Sequence, residues 1–247
     1  MTPSPEAAAD GPLRVATVGD LHMGEDHTHS YRELFARISA EADVLALCGD
    51  LTNFGKTREA ENLAEDLMAC TIPAVGVLGN HDFECGQPDE VAKILHQAGL
   101  QILDGQAYEI GGVGFAGAKG FIGGFGRHML SPFGEAEIKA FVQASVEENL
   151  KLESSLRMLR TERTVVVLHY SPVAETLVGE PPEIFAFLGS ARLGETVDRF
   201  DGVRAVFHGH AHRGSPRGRT ARGVPVFNVA RPLLARETER EYVVVEV

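Results

Sequence analysis

Three short turns recur at a fixed interval along the chain. Gly19-Asp20, Gly49-Asp50 and Gly79-Asn80 place one side-chain oxygen every 30 residues, each directly after an apolar run. That interval matches one βαβ unit, so each unit delivers an oxygen donor to the same edge of a sheet. The glycine lets the chain turn sharply and lets another group approach the backbone. Histidines add nitrogen donors: Asp20-x-His22 and His210-x-His212 are pairs at i and i+2, which point the same way in extended chain, and His169 ends the run "TVVVLH". The sum is two carboxylates, one amide oxygen and four imidazoles. Such a mixture suits Mn²⁺, Fe or Zn²⁺, whereas Ca²⁺ takes nearly all oxygen and structural Zn²⁺ usually recruits thiolates. Seven donors exceed one tetrahedral ion and suit two ions that share a carboxylate.

The elements that must carry these residues are legible. "LRVATVG" (13–19), "VLALCG" (44–49) and "AVGVLG" (74–79) are continuous apolar runs of the kind found in strands covered on both faces. Helical stripes separate them, over Tyr31–Ser39 with a capping box from Ser30 to Glu33, over about Thr57–Ala69, and over about Pro88–Ala98. Alternation of this type implies parallel strands, with ligands collecting beyond their carboxyl ends. After residue 100 the pattern becomes strand-rich. "QAYEIGGVGFAGA" reads as a hairpin turning at Gly111-Gly112, Glu135 to about Arg160 as an amphipathic covering helix, and 164–169, 203–208, 224–229 and 241–247 as further strands. Residues 1–11 read as a mobile tail and 12–247 as one domain.

Taken singly, each polar residue also fits an ordinary role. Asp20 and Asp50 could cap helices, and a histidine after a strand could be a satisfied core or surface group. Joint placement favours ligation. His208 should face away from the site by strand alternation, His27 and His29 read as solvated loop residues, and His96 as the exposed side of a helix. The glycine-dense loop "KGFIGGFGRH" (119–128) offers Arg127 and His128 as candidate substrate-binding residues, or is simply a surface turn. "RGSPRGRTAR" (213–222) either steers an anion or forms a solvated hairpin.

The set Asp20-x-His22, Gly49-Asp50, Gly79-Asn80-His81-Asp82, His169 and Gly209-His210-x-His212 resembles the calcineurin-like metallophosphoesterase signature, in the family's order. The resemblance implies a four-layer α/β/β/α sandwich with two mixed sheets. It implies two divalent transition-metal ions: Asp20, His22 and His212 on one, Asn80, His169 and His210 on the other, Asp50 bridging. It also implies catalytic roles for His81, which would contact the phosphoryl group and protonate the leaving oxygen, and for Asp82, which would steady the His81 imidazole. Two ions roughly 3.5–4 Å apart bring a bridging water's pKa toward neutrality and clamp the attacking and leaving oxygens at phosphorus. The arrangement looks most like the branch with class III cyclic-nucleotide phosphodiesterases. No arginine follows "GDLTNFG", a departure from the protein-phosphatase branch, whose motif continues into an Asp-Arg-Gly turn.

Composition bounds the partners. The chain has 247 residues, 44% hydrophobic and 23% charged, close to globular averages. A nuclease is one alternative, though a net charge of -12 speaks against extended nucleic-acid contacts. Without a signal-like start or a run long enough to span a bilayer, and with only Cys48, Cys70 and Cys85, outside any CxxC spacing, the expectation is a reduced, cytoplasmic protein acting on a small phosphoester. A protein of the same fold serving as a metal-binding scaffold is the alternative of another class; an intact His81 speaks against it.

Overall fold

Strands whose residues are all apolar need cover on both faces, and the structure supplies it with four layers. The structure is a computed structural model and describes residues 11–26, 29 and 31–247. The expected tail, apart from Gly11, and also His27 and the Ser30 capping position lie outside the described residues. The first half alternates as anticipated: β1 (Arg14–Val18), α1 (Arg32–Glu41), β2 (Val44–Cys48), α2 (Thr57–Leu67), β3 (Ala74–Val77), α3 (Pro88–Gln97) and β4 (Leu100–Ile102). The second half runs β5 (Ala107–Ile110), β6 (Val113–Ala118), α4 (Ala136–Met158), β7 (Arg163–Leu168), α5 (Phe185–Leu188), α6 (Ala191–Val197), β8 (Val203–His208), β9 (Arg217–Arg219), β10 (Pro225–Asn228), α7 (Arg231–Thr238) and β11 (Val243–Glu246).

Both sheets are mixed. One has the order β11-β1-β2-β3-β4, parallel except for β11; the other has β5-β6-β7-β8-β10-β9, with β5 and β9 antiparallel at its edges. Their inner faces meet through Val15, Ala46, Val75 and Val77 from one side and Phe115, Val165, Val167 and Phe207 from the other, all buried. Leu34, Phe35, Ile38, Leu63 and Leu95 of α1–α3 cover the outer face of the first sheet. Leu152, Leu156, Leu193 and Val197 of α4 and α6 cover the second. The central strands β2, β3, β6 and β7 are thus sandwiched, which is why period-two alternation is missing from their sequence.

Two sequence expectations need adjustment. Ile138 and Leu150 recur at roughly helical spacing with the other apolar residues of 135–160, yet they are exposed on α4; the buried set is Val142, Ser145, Leu152, Ser155 and Leu156, a 3.6-residue repeat from which Leu150 stands off. The Arg-rich segment 213–222 contains edge strand β9, the hairpin alternative, pairing Arg217–Arg219 with Phe227–Pro225.

Helix α2 has a second task beyond packing. Its buried Asn62 donates to the carbonyls of Gly24 and Glu25, both at 2.9 Å, and Asp66 accepts from the Tyr31 amide at 2.8 Å. Buried polar groups of this kind must be paired. Here the pairing pins the loop that leaves His22.

Candidate active site

The seven candidate ligands gather where the carboxyl ends of the two sheets meet. Asp20 and His22 follow β1, Asp50 follows β2 and Asn80 follows β3, all on the first sheet; His169 follows β7 and His210 and His212 follow β8, on the second. The β1–β2 ladder continues past both strands, with Asp20 N donating to Gly49 O and His22 N to Asp50 O at 2.9 Å each. Asp20, His22, Asp50 and His210 all take left-handed backbone, φ 59°, 49°, 49° and 69°. Asp, Asn and His are the side-chain-bearing residues that tolerate this region best, at a cost of about 1–3 kcal/mol each.

The glycines of the motif leave room for side chains from neighbouring strands, across the two sheets at Gly49 and Gly209 and within the first sheet at Gly79. A Cβ on Gly49 would lie 2.5 Å from His169 Nδ1, one on Gly79 2.2 Å from Asp50 Oδ1, and one on Gly209 2.2 Å from Asp20 Oδ2. Each missing side chain is therefore the seat of a donor from another strand. This is a stricter reason for glycine than turn geometry alone.

Asp50 faces both ways. Its Oδ1 lies 3.3 Å from His169 Nε2, and its Oδ2 lies 3.8 Å from His22 Nε2. The His81 amide donates to Oδ1 at 2.9 Å and fixes the carboxylate rotamer. On one flank Asp20, His22 and His212 bring donor atoms within 4.8 Å of one another; on the other Asp50, His169 and His210 do so. Asn80 Oδ1 joins the second flank, 2.9 Å from His169 Nε2.

Three details test whether the donors fit cations. His169 Nδ1 donates to the Cys48 carbonyl at 2.9 Å, so in the neutral ring Nε2 carries a lone pair. Burial holds His169 neutral, its pKa well below the ordinary value. That lone pair then faces the Asn80 and Asp50 oxygens, three electron pairs pointed at one spot, which is unfavourable unless a positive charge sits between them. Second, both ring nitrogens of His22 are buried without a hydrogen-bond partner among the described residues, and burial lowers its pKa to about 4. Third, His212 Nε2 approaches Asp20 Oδ1 at 2.9 Å and its pKa is raised by that carboxylate, while burial pushes the Asp20 carboxyl up to about 6. Proton and carboxylate there hold the positions a cation would bring together. The residues present fit metal ions.

His210 sits beside His169, ring centroids 4.8 Å apart. Its Nε2 lies 3.3 Å from the Phe187 carbonyl, and its pKa is lowered to about 3, chiefly by burial. His208 points away from this cluster into the fold: it is buried, with Nδ1 2.8 Å from Gly209 O and Nε2 2.8 Å from Thr176 Oγ1. His96 is exposed on α3, and His29, also exposed, pairs with Asp66.

His81 and Asp82 form a short 3-10 turn directly after Asn80. The His81 ring meets His22 edge-on at 4.5 Å, and Nδ1 is 2.6 Å from the Asn53 carbonyl, leaving Nε2 for other work. The expectation that Asp82 steadies this imidazole is corrected. Asp82 is fully buried and accepts from the amides of Gly79, Leu51 and Thr52 at 2.7, 3.2 and 2.8 Å, and from the Thr52 hydroxyl. Its carboxylate ties the loop after β2 to the end of β3, thereby fixing Asp50 against Asn80. Burial raises its pKa to about 6 despite these donors. The group that orients His81 is a main-chain carbonyl, for which side-chain identity gives no signal.

The loop after β6 contributes from its start. Lys119 and Phe121 line a cavity with Asn80, Phe83 and Tyr170, whereas Arg127 lies exposed on the 3-10 turn Gly126–His128. The His128 side chain falls outside the described set. Tyr170, which follows His169 and packs on His210 at 4.5 Å between ring centroids, was not picked out from the sequence; its position after a candidate ligand was the available clue.

Comparison with known proteins agrees with this fold. The family model for calcineurin-like phosphoesterases matches residues 13–214. A 3',5'-cyclic-nucleotide phosphodiesterase of Nostoc sp. is 23% identical over 221 residues, 82% of this chain and 72% of that protein. In fold the chain is similar to phosphopantetheinyl hydrolase from Mycobacterium tuberculosis (TM-score 0.65, 15% identity, 97% of both chains covered). It is also similar to a dimetal phosphatase from Danio rerio (TM-score 0.57, 14% identity, 89% of this chain and 87% of that one). No helix among the described residues is long and apolar enough to cross a membrane. With the match spanning most of its length, the chain belongs to the calcineurin-like phosphoesterase family and is a hydrolase of phosphoester bonds.

Proposed function

We propose that this protein hydrolyses a phosphomonoester or phosphodiester of a small molecule, a nucleotide being one candidate, with two divalent transition-metal ions. The observation that carries the reading is His169 Nε2 facing Asn80 Oδ1 at 2.9 Å and Asp50 Oδ1 at 3.3 Å with its own ring proton spent on the Cys48 carbonyl. Asp20, His22 and His212 would hold one ion, Asn80, His169 and His210 the other, and Asp50 would touch both. When bound, such a pair supplies a nucleophile from water at neutral pH and offsets charge on the phosphoryl oxygens.

The chain's own groups do the rest. His81, anchored through Nδ1, presents Nε2 beside His22 on the ligand-bearing rim, where it can donate a proton to the departing oxygen; general-acid help of this kind typically contributes about 10²–10⁴-fold. Asn80 is a neutral donor, so it leaves its ion more electrophilic than a third carboxylate would. Asp82 keeps the two oxygen-bearing turns in register. The name of the Nostoc relative supports a nucleotide diester among the candidates, and the acidic balance of this chain supports a small substrate over nucleic acid.

The test is hydrolysis of p-nitrophenyl phosphate and bis-p-nitrophenyl phosphate with added Mn²⁺, with and without chelator, followed by a panel of monoesters, cyclic nucleotides, dinucleoside polyphosphates and glycerophosphodiesters. Turnover that appears with metal and disappears with chelator is the expected result. No metal-dependent turnover on any of them would favour the scaffold reading instead.

A further inference from the structure

One wall of the candidate metal centre opens into a cavity that the chemistry above does not use. Its volume is about 290 Å³, and Asn80, Phe83, Lys119, Phe121, Glu148 and Tyr170 line it. Asn80 and Tyr170 belong to both spaces: one is a candidate ligand and the other packs on His210. A group attached to a phosphoryl held at the metal centre would therefore enter this cavity. Small-molecule sites typically have roughly 300–1,000 Å³, mostly apolar walls and a few placed polar groups; this one lies at the small end and has that makeup.

The polar group is Lys119. Its ammonium lies 4.8 Å from the Phe121 ring centroid, 5.3 Å from that of Phe83 and 5.4 Å from that of Tyr170. Three rings around one buried cation is an expensive arrangement to assemble for packing alone. One N–H donates to the Gly120 carbonyl at 2.8 Å, the only hydrogen bond Lys119 Nζ makes among the described residues. Glu148 Oε2 is 4.0 Å away, too far for a hydrogen bond, and is occupied by the Gly120 amide. The ammonium therefore retains donor capacity. Phe83 keeps 42% of its surface exposed despite its position beside the site.

Charge decides between the two occupants a lysine could recruit. Lys119 and Lys151 are both on the lining, but so are Glu147 and Glu148, and Lys151 is engaged by Asp104 at 2.8 Å and Glu148 at 2.9 Å. Two carboxylates match two ammonium groups on the lining, and Asp104 beside Lys151 adds a third carboxylate, so the cavity has no excess positive charge to hold a second phosphate. An uncharged flat ring needs none.

We propose that this cavity is the subsite for the organic group of the phosphoester, that it takes an uncharged heteroaromatic ring of the nucleobase type, and that Lys119 selects that ring by donating to an acceptor on its edge while Phe83 and Phe121 cover its face. The substrate assignment rests on the phosphoesterase reading; the pocket's affinity for the ring does not. Binding is therefore measured without turnover. Adenosine, guanosine and inorganic pyrophosphate are titrated by calorimetry into protein stripped of metal by chelator, as wild type, Lys119→Met and Phe121→Leu, with thermal melts confirming that each variant is folded.

The expected result is that a nucleoside binds the stripped wild type, that either substitution weakens it by about tenfold, and that pyrophosphate gives no heat. Nucleoside binding seen only with metal restored would place the ring at the metal centre and overturn the proposal. Absence of nucleoside binding in the wild type, or binding of pyrophosphate that Lys119→Met abolishes, would overturn it as well. Nucleoside binding in a protein that shows no metal-dependent hydrolysis supports the subsite and counts against the phosphoesterase reading alone.

Discussion

The two sheets contribute to the site in different currencies. The first offers oxygen, from Asp20, Asp50 and Asn80, at the ends of consecutive parallel strands spaced by one helix each; its nitrogens, on His22 and His81, lie within two residues of Asp20 and Asn80. The second offers nitrogen, from His169, His210 and His212, on strands separated by long connections. Burial follows the same division only in part: Asp20, Asp50 and His169 are buried, while the His212 side chain is 39% exposed. Of the three His/Asp groups whose donor atoms lie within 4.8 Å among the described residues, two join the sheets, and the third, His22, Asp50 and His81, lies on the first sheet alone. Each cluster within 4.8 Å that contains His169, His210 or His212 also needs Asp20 or Asp50, so closure of the sandwich is what assembles the chemistry.

The largest effect should come from the group that joins the two sides. Asp50→Asn is expected to lose both ions and to lower kcat by roughly 10³-fold or more; elemental analysis that still finds two ions per chain would refute its place between them. His81 belongs to the oxygen-bearing sheet yet is expected to hold no ion. His81→Ala should lower kcat by about 10²-fold with metal content near two per chain, and a stripped site would move His81 into the ligand set. Gly79→Ala probes the fit of Asp50 within the oxygen-bearing sheet. With a Cβ 2.2 Å from Asp50 Oδ1, the variant should lose about 1–3 kcal/mol of stability in denaturant melts and bind metal more weakly; unchanged metal affinity would show that the seat is not needed. Asn80→Asp should be the mildest, tightening the ion on the His169 flank while lowering kcat by about tenfold, and a rise in kcat would contradict the value placed on a neutral donor.

How much of this was legible follows the same division. The oxygen-bearing turns announce themselves because βαβ units are local, and a repeat of 30 residues survives in sequence as a repeat. The imidazoles were found by their motif, but their distance from Asp20 and Asp50 could not be, since it depends on two sheets packing through Phe115, Phe207 and their partners. Asp82 was assigned a task by its place next to His81; in the fold, the 3-10 turn aims it at Gly79, Leu51 and Thr52 instead. β4 and β9, three residues each, are too short for periodicity to register. Lys119 opens the glycine-dense loop that offers Arg127 and His128, but nothing in the sequence separates it from any other lysine, because the three aromatic rings around it come from three different segments and meet only in space.

The left-handed backbone at Asp20, His22, Asp50 and His210 has a consequence for which element the protein carries. A cage whose shape is set by main-chain torsions, and held by the ladder between β1 and β2, should admit one first-row ion in place of another with little remodelling. Nitrogen and oxygen donors rank those ions by the general affinity series, in which manganese and iron stand below zinc and copper. The occupant should then follow supply, so that protein produced in cells fed different trace elements carries different ions in the same frame.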